Sequence, residues 1–393
     1  MPEAVIVAAA RTPIGRSHKG SLADVDAFTL AEVAVQALLD RAGVNLADID
    51  DLVLAESLQG GGVIGRHTAM RVGLTHVPGL ADNRHCAAGL SAVQIAAGSI
   101  MAGMDRVVIA GGTESLSSMP MSTKSVPASA RDPHPWMSPS HPETPNAPAF
   151  DMSITVGENT AREMGISRRD ADEWAALSHQ RAAASVDNGW FDAEVVPVTV
   201  TAPDGTPRLF THDEHPRRDS TVERLATLPT LHPELADSII TAGNAAGLND
   251  AAAAVMVVSA EYAAAHGLEV LARIRSWANV GVEPARTGMG PVYAIPKALD
   301  RAGLQVADIT LFEVNEAFTP VPIAAQRRLG IDSERLNVNG SGCGLGHPIA
   351  ATGARMVVTM LYELARRGGG LGCVSMCAGG GMGSAMVLEV GAR

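Results

Sequence analysis

Short aliphatic runs recur along the chain between stretches of helical spacing. "MPEAVIVAAARTP" opens it, and "DLVLAES" (51–57), "DRVVIAGG" (105–112), "TLFEVNEA" (310–317) and "LGCVSMCAGG" (371–380) repeat the pattern. Each run has strand length and is bounded by Gly, Pro or charge, while the segments between carry helical spacing. Alternating β and α elements predict an α/β class, with sheets covered by helices. The opening run carries Glu3 where a secretory leader is basic, and its apolar part is short, so it reads as a strand.

Residues 87–104, "AAGLSAVQIAAGSIMAGM", contain no charge over a length close to a membrane span. The run is mostly Ala, Gly, Ser and Gln, with little Leu or Ile to favour hydrocarbon. A helix neutral all round and rich in small residues fits between two sheets inside a large protein. The chain also repeats itself. Residues 39–49, "LDRAGVNLADI", match residues 299–309, "LDRAGLQVADI", at an offset of 260. Each copy ends a helix at a Gly suited to a C-cap and then enters an apolar strand. Two related halves are expected to pack through their uncharged helices. The sequence divides into a first half (1–116 and 246–268), an inserted segment (117–245) and a second half (269–393).

The insertion has its own character. Residues 117–150 are dense in Pro and Ser without periodicity, which marks a lid or binding loop. A helical stretch (157–189) follows, and then a basic one around Arg217, Arg218 and Arg224, fit to hold an anionic ligand.

Composition sharpens this picture at three points. The 393 residues are 46% apolar with a mean hydropathy of +0.12, enough for a large aliphatic core. Four cysteines without regular spacing indicate reduced thiols in a cytoplasmic protein rather than a disulfide framework. A net charge of −12 argues against general nucleic-acid binding.

Three segments carry candidate chemistry. "NRHCAAGLSA" (83–92) puts Cys86 at a helix start, where unpaired N–H groups and the helix dipole are expected to lower a thiol pKa from about 8.5 into the range of roughly 3.5–7.5. The 260 offset carries Cys86 to Gly346, beside His347 in a Gly-rich loop. Aligning "IAGG" (109–112) with "CAGG" (377–380) places Cys377 at the end of the matching last strand. Loops at carboxyl ends of strands in α/β sheets are where ligands bind. There a neutral imidazole can take the proton of a thiol nucleophile. Asn315, at the end of the strand in "EVNEAF" (313–318), is placed to orient a water or polarise a carbonyl.

Two rival readings fall on spacing. Cys343/His347 and Cys373/Cys377 are four apart, a spacing that zinc ligands use. On a strand, however, such residues stand about 13 Å apart, at about 3.3 Å per residue. A GxGxxG occurs at Gly60, Gly62 and Gly65, but it follows the second apolar run and lacks a second strand ending in an acidic residue.

Taken in order, "NRHCAAGLSA", "AGGTESLSSMP", "TAGNAAGLNDAAAAV", "VNEAF", "NVNGSGCGLGHPIAATGAR" and "CAGGGMGSAMVLE" resemble the thiolase family over nearly the whole chain. The resemblance implies duplicated halves in a five-layer αβαβα sandwich with an inserted loop domain, a homodimer or homotetramer, and coenzyme A thioester substrates. It implies Cys86 as the acylated nucleophile, His347 as its base, and Cys377 as the acid/base at the substrate α-carbon. Asn315 would hold a water that forms one oxyanion hole with His347. The N–H groups of Cys86 and Gly379 would form the other. Arg217 and Arg218 match the stretch that meets the nucleotide end of coenzyme A, and Ala246 and Met152 are further candidate coenzyme A contacts. Neither metal nor redox cofactor is implied.

Departures concern the acyl group. Ala246 replaces a serine that commonly contacts the pantetheine arm, Ala88 replaces a small polar residue, "GSGCGLGHPIAAT" differs from the more frequent form, and Asp151 stands where short-chain biosynthetic members often have His. A decarboxylating ketosynthase-type enzyme and a non-catalytic lipid carrier or scaffold are the alternative readings. The second cysteine in "CAGGG" speaks against the first, and the intact set of four speaks against the second.

Overall fold

The computed structural model describes residues 2–124, 134–202 and 204–391. Residues 125–133, part of the Pro-rich stretch expected to form a lid, lie outside the described residues. In the first half, β1 (Ala4–Arg11) leads into α1 (Ala27–Ala42), then β2 (Asp51–Ala55), β3 (Leu80–Asp82), α2 (Ala88–Met101) and β4 (Val107–Ser115). The inserted segment contains the long helix α3 (Arg168–Asp187), and the chain returns through β5 (Asn249–Ser259). The second half runs β6 (Ala272–Gly281), α4 (Gly290–Ala302), β7 (Leu311–Val314), α5 (Pro320–Leu329), α6 (Ile349–Arg366), β8 (Gly370–Ala378) and β9 (Met382–Val390).

Strand order repeats the duplication. The first half is ordered β3-β2-β4-β5-β1 and the second β7-β8-β9-β6. β2 is parallel to β4 as β7 is to β8, β4 is antiparallel to β5 as β8 is to β9, and β3 adds to the edge of β2 in parallel. The halves join where Val5 and Ile6 of β1 pair with Arg273 and Ala272 of β6. Gly43 and Gly303 end α1 and α4 in the left-handed conformation, as the repeated "LDRAG" predicts.

Register corrects one alignment. Asp51 pairs with Val108, and Leu311 pairs with Gly372, so the last strands correspond at an offset of 264 (372 minus 108). Cys377 is therefore level with Thr113, four residues from the position that matching "IAGG" to "CAGG" gives. An apolar strand repeats its face every two residues, so a slip of four leaves the pattern unchanged.

Three cores separate five layers. Apolar residues of α2 and α6 share one cluster with facing strands of both halves, α1 packs on the outer face of the first sheet, and α4 covers the outer face of the second. Small residues make the central crossing close: a Cβ on Gly89 would lie 2.4 Å from the Ala350 carbonyl oxygen, and one on Gly353 would lie 2.2 Å from the Leu90 nitrogen. α2 is uncharged as expected, but α6 is not. It carries Arg355, buried in an ion pair with Glu313 of β7. No helix of the described residues is long and apolar enough to cross a membrane.

A second buried ionic cluster ties the insertion to the first half. Arg11, fully buried at the end of β1, bonds Glu194 at 2.5 Å and both oxygens of Asp213 at 2.7 and 2.8 Å.

Candidate active site

The two halves deliver matching helix starts to one place. Cys86 stands two residues before α2, and His347 two residues before α6. Ala88 and Ala350 pack together with Ala55. Glu114, next to last in β4, has a carboxylate that accepts from the N–H of Ala350 at 3.0 Å and of Leu58 at 3.1 Å, with Gln59 Nε2 at 2.9 Å. Glu114 thereby binds the start of the second half's central helix to the end of the first half's sheet.

Cys86, Gly379 and Cys377 meet. The N–H dipoles of Gly379 and of Cys86 itself lie close to the Cys86 sulfur and favour its thiolate. These do not offset burial, which pushes the thiol pKa up to about 11. The low value expected from the helix start is thus overturned: desolvation disfavours the thiolate more than two donors favour it. Burial also raises the Cys377 thiol, and the nearby Cys86 raises it further.

His347 and Asn315 form the other side. Asn315 follows β7 directly, and its N–H donates to the Ser375 carbonyl at 2.9 Å, two residues from Cys377. Its amide nitrogen stands 3.5 Å from both ring nitrogens of His347. Its side-chain oxygen is buried without a partner among the described residues, and a Cβ on Gly342 would lie 2.5 Å from it. Burial lowers the His347 pKa to about 3, with Arg355 adding to the shift.

The tautomer of His347 follows from its neighbour. The Thr352 hydroxyl lies 2.8 Å from the Pro348 carbonyl, which can only accept, so it gives its one proton there. Thr352 Oγ1, 2.7 Å from His347 Nδ1, must then accept from an Nδ1–H. Nε2 is left bare, in the form that takes a proton. The backbone N–H of His347 is held by Asn249 Oδ1 at 3.0 Å.

Of the other sequence-derived candidates, Ala246 comes close, its N–H donating to the Ala317 carbonyl at 2.9 Å. Met152 packs, half-buried, beside the second half's outer core. Arg217 and Arg218 are exposed farther out. Arg218 pairs with Asp187 and Arg224 with Asp219, so an anion would have to displace a carboxylate from each. The Arg217 N–H donates to His179 Nδ1 at 3.2 Å, and the His179 ring stacks on His215 at 5.9 Å. His215 in turn lies 3.2 Å from Asn249 Nδ2 and 3.1 Å from the Cys343 carbonyl.

Sequence reasoning missed Asn249, Thr352 and Glu114, and did not foresee that Glu316 is a hub. The Glu316 carboxylate is fully buried, taking bonds from Trp174 at 2.8 Å, Ser178 at 2.5 Å, Asn337 at 2.7 Å and the Cys343 N–H at 3.1 Å. It anchors the insertion's long helix to the Gly-rich loop that carries His347. The GxGxxG reading also meets a physical obstacle: Glu56 takes the N–H groups of Gly62 and Ile64, filling with a carboxylate the place a phosphate would need.

Comparison with known proteins agrees with this geometry. The N-terminal domain of thiolase matches residues 4–261 and the C-terminal domain of thiolase matches residues 268–390. An acetyl-CoA acetyltransferase of Pseudomonas aeruginosa is 41% identical over 99% of both chains. A 3-ketoacyl-CoA thiolase of Bacillus subtilis is 41% identical, covering 99% of this chain and all of its own (100%). The crystal structure of the acetyl-CoA acetyltransferase of Bacillus anthracis superposes with a TM-score of 0.89 at 36% identity, over 99% of each chain.

Proposed function

The chain belongs to the thiolase family, and from that premise we propose that it cleaves 3-oxoacyl-CoA with coenzyme A through an acyl-cysteine on Cys86. It is an acyltransferase, and the reverse reaction is a Claisen condensation. In cleavage, the Cys86 sulfur attacks the C3 ketone while His347 Nε2 takes the thiol proton. The C2–C3 bond then breaks, and its electron pair, carried as the enolate of acetyl-CoA, receives the Cys377 proton. The Cys377 thiolate then takes the proton of a second coenzyme A thiol, whose sulfur attacks the acyl group; as the shortened acyl-CoA departs, His347 returns its proton to the Cys86 sulfur, and the enzyme is restored. Atoms and electrons balance without metal or redox cofactor. Arg217 and Arg218 are the candidates for the nucleotide end, and Ala246 and Met152 for the pantetheine and acyl ends.

The observation that carries this reading is the convergence of the Cys86 and Gly379 N–H groups on one sulfur beside a second thiol. When an acyl group is on that sulfur, its carbonyl oxygen inherits both donors, a preorganised oxyanion hole. The partnerless Asn315 oxygen supports the second hole, since a buried acceptor there is matched by a bound water. We take the protein to work in the cytoplasm as a homodimer or homotetramer, in fatty-acid breakdown. The experiment is thiolysis of acetoacetyl-CoA followed by loss of substrate absorbance. Turnover by the wild type, abolished in Cys86→Ala, is expected; no turnover by the wild type contradicts the reading.

A further inference from the structure

The residue before the nucleophile holds an unusual backbone. His85 has φ +47°, a left-handed conformation that costs energy for a histidine and persists only where surroundings impose it. Its N–H donates to Asn83 Oδ1 at 2.8 Å and its carbonyl accepts from the Ala88 N–H at 3.0 Å, which fixes the turn. The turn sets the half-buried imidazole beside Gly379: a Cβ built there would stand 3.5 Å from His85 Cγ and 3.6 Å from Ser140 Cβ. Because Gly379 also lies beside the Cys86 sulfur, this wall borders the place where an acyl group is carried. Among the described residues neither ring nitrogen of His85 has a hydrogen-bond partner.

Ser140 presents an oriented hydroxyl beside the same glycine. His141 Nε2 lies 3.0 Å from the Ala147 carbonyl, which can only accept, so Nε2 carries the ring proton and Nδ1 is bare. Ser140 Oγ lies 2.8 Å from that Nδ1 and 3.3 Å from the Ala149 carbonyl, both acceptors, so its one proton is committed to them and its lone pairs stay free. Burial lowers the His85 pKa, so the ring is neutral near pH 7 and offers an N–H. A plain alkyl chain would cover both groups and satisfy neither.

We propose that His85 and Ser140 are specificity-determining residues that select 3-oxoacyl-CoA substrates bearing a hydroxyl beyond C3. A hydroxyl oxygen accepts from the His85 N–H while its proton goes to Ser140 Oγ. A carboxylate meets only the first of these. The proposal rests on the thiolase reading, and acetoacetyl-CoA separates the two: no cleavage of it defeats that reading, whereas cleavage without the preference below defeats this one alone.

The test compares kcat/KM for 5-hydroxy-3-oxohexanoyl-CoA, 3-oxohexanoyl-CoA and 3-oxoadipyl-CoA in the wild type, His85→Phe, His85→Asn and Ser140→Ala. A site built to pair a hydroxyl favours the hydroxylated substrate over its alkyl analogue by about tenfold or more. That ratio should fall to about one in His85→Phe and stay within about threefold of wild type in His85→Asn, whose amide keeps a donor and tolerates the left-handed turn. Ser140→Ala, free of backbone strain, should lower the same ratio. A wild-type preference for the alkyl or the carboxylate substrate, or variants that change all three values equally, overturns the proposal.

Discussion

At Cys86 two N–H donors converge on a sulfur that burial nonetheless holds protonated, with its pKa pushed up to about 11. Below that value the thiolate fraction grows tenfold per pH unit. Alkylation of Cys86 by iodoacetamide, read by peptide mass spectrometry, should therefore rise log-linearly from pH 7 to about pH 10. A plateau near neutral pH would mean a thiolate at rest. Two thiols this close cannot both ionise easily, so acylation of Cys86 removes a charge that opposes the Cys377 thiolate. The nucleophile and proton carrier are thus used in turn. Replacing His347 by Ala should lower kcat by about 10² to 10⁴, the usual worth of a positioned base. That Cys86, His347, Cys377 and Asn315 gather at one place was legible in the sequence because each sits in a distinctive Gly- or Asn-containing motif at a strand end or just before a helix. The Cys86 pKa was not, because desolvation depends on what distant segments bring over the sulfur.

The start of β5 at Asn249 and the loop carrying His347 are joined through the buried imidazole of His215, which stacks on His179. Burial lowers His215 to about 3 and His179 to about 4, from an ordinary value of 6.5. Their folded-state pKa values lie below the unfolded ones, so between these limits the unfolded chain binds more protons. The stability from keeping them neutral is complete above pH 6.5 and drains away as pH falls toward 4 and then 3. Thermal melting should drop across that window, and His215→Gln should flatten the drop. An unchanged slope would mean that His215 titrates normally. The elements themselves were readable where turn chemistry marks them, as at Gly43 and Gly303. The last strands were misaligned by four because only cross-strand pairing distinguishes one apolar register from another. The histidine pair was unreadable, its members lying 36 residues apart (215 minus 179) without local pattern.

Across the whole molecule, the repeat made two halves and a central helical layer visible from sequence, and Gly89 and Gly353 show how close that layer is. Gly353→Ala must push its methyl against the Leu90 backbone, and overpacking of this kind costs about 1–3 kcal/mol. The loss should appear as a lower urea midpoint. Arg11 is the opposite kind of contact. Arg11→Ala would leave Glu194 and Asp213 buried without their cation, a change that costs about 3–5 kcal/mol and should loosen the insertion first. Faster proteolysis within 190–245 than elsewhere would report that, while a uniform change would contradict it. Nothing in "AAARTP" announces so buried a charge, because its partners lie 183 and 202 residues away.

One measurement reaches the central claim, that Cys86 carries the acyl group while Cys377 moves the proton. Acetyl-CoA is incubated with wild type, Cys377→Ala and Cys86→Ala in deuterated water, with protein and substrate both read by mass spectrometry. The account predicts acetylation on Cys86 in wild type and Cys377→Ala, and deuterium entering the acetyl methyl group only where Cys377 is present. Acetyl transfer to Cys377, or exchange undiminished in Cys377→Ala, would contradict it.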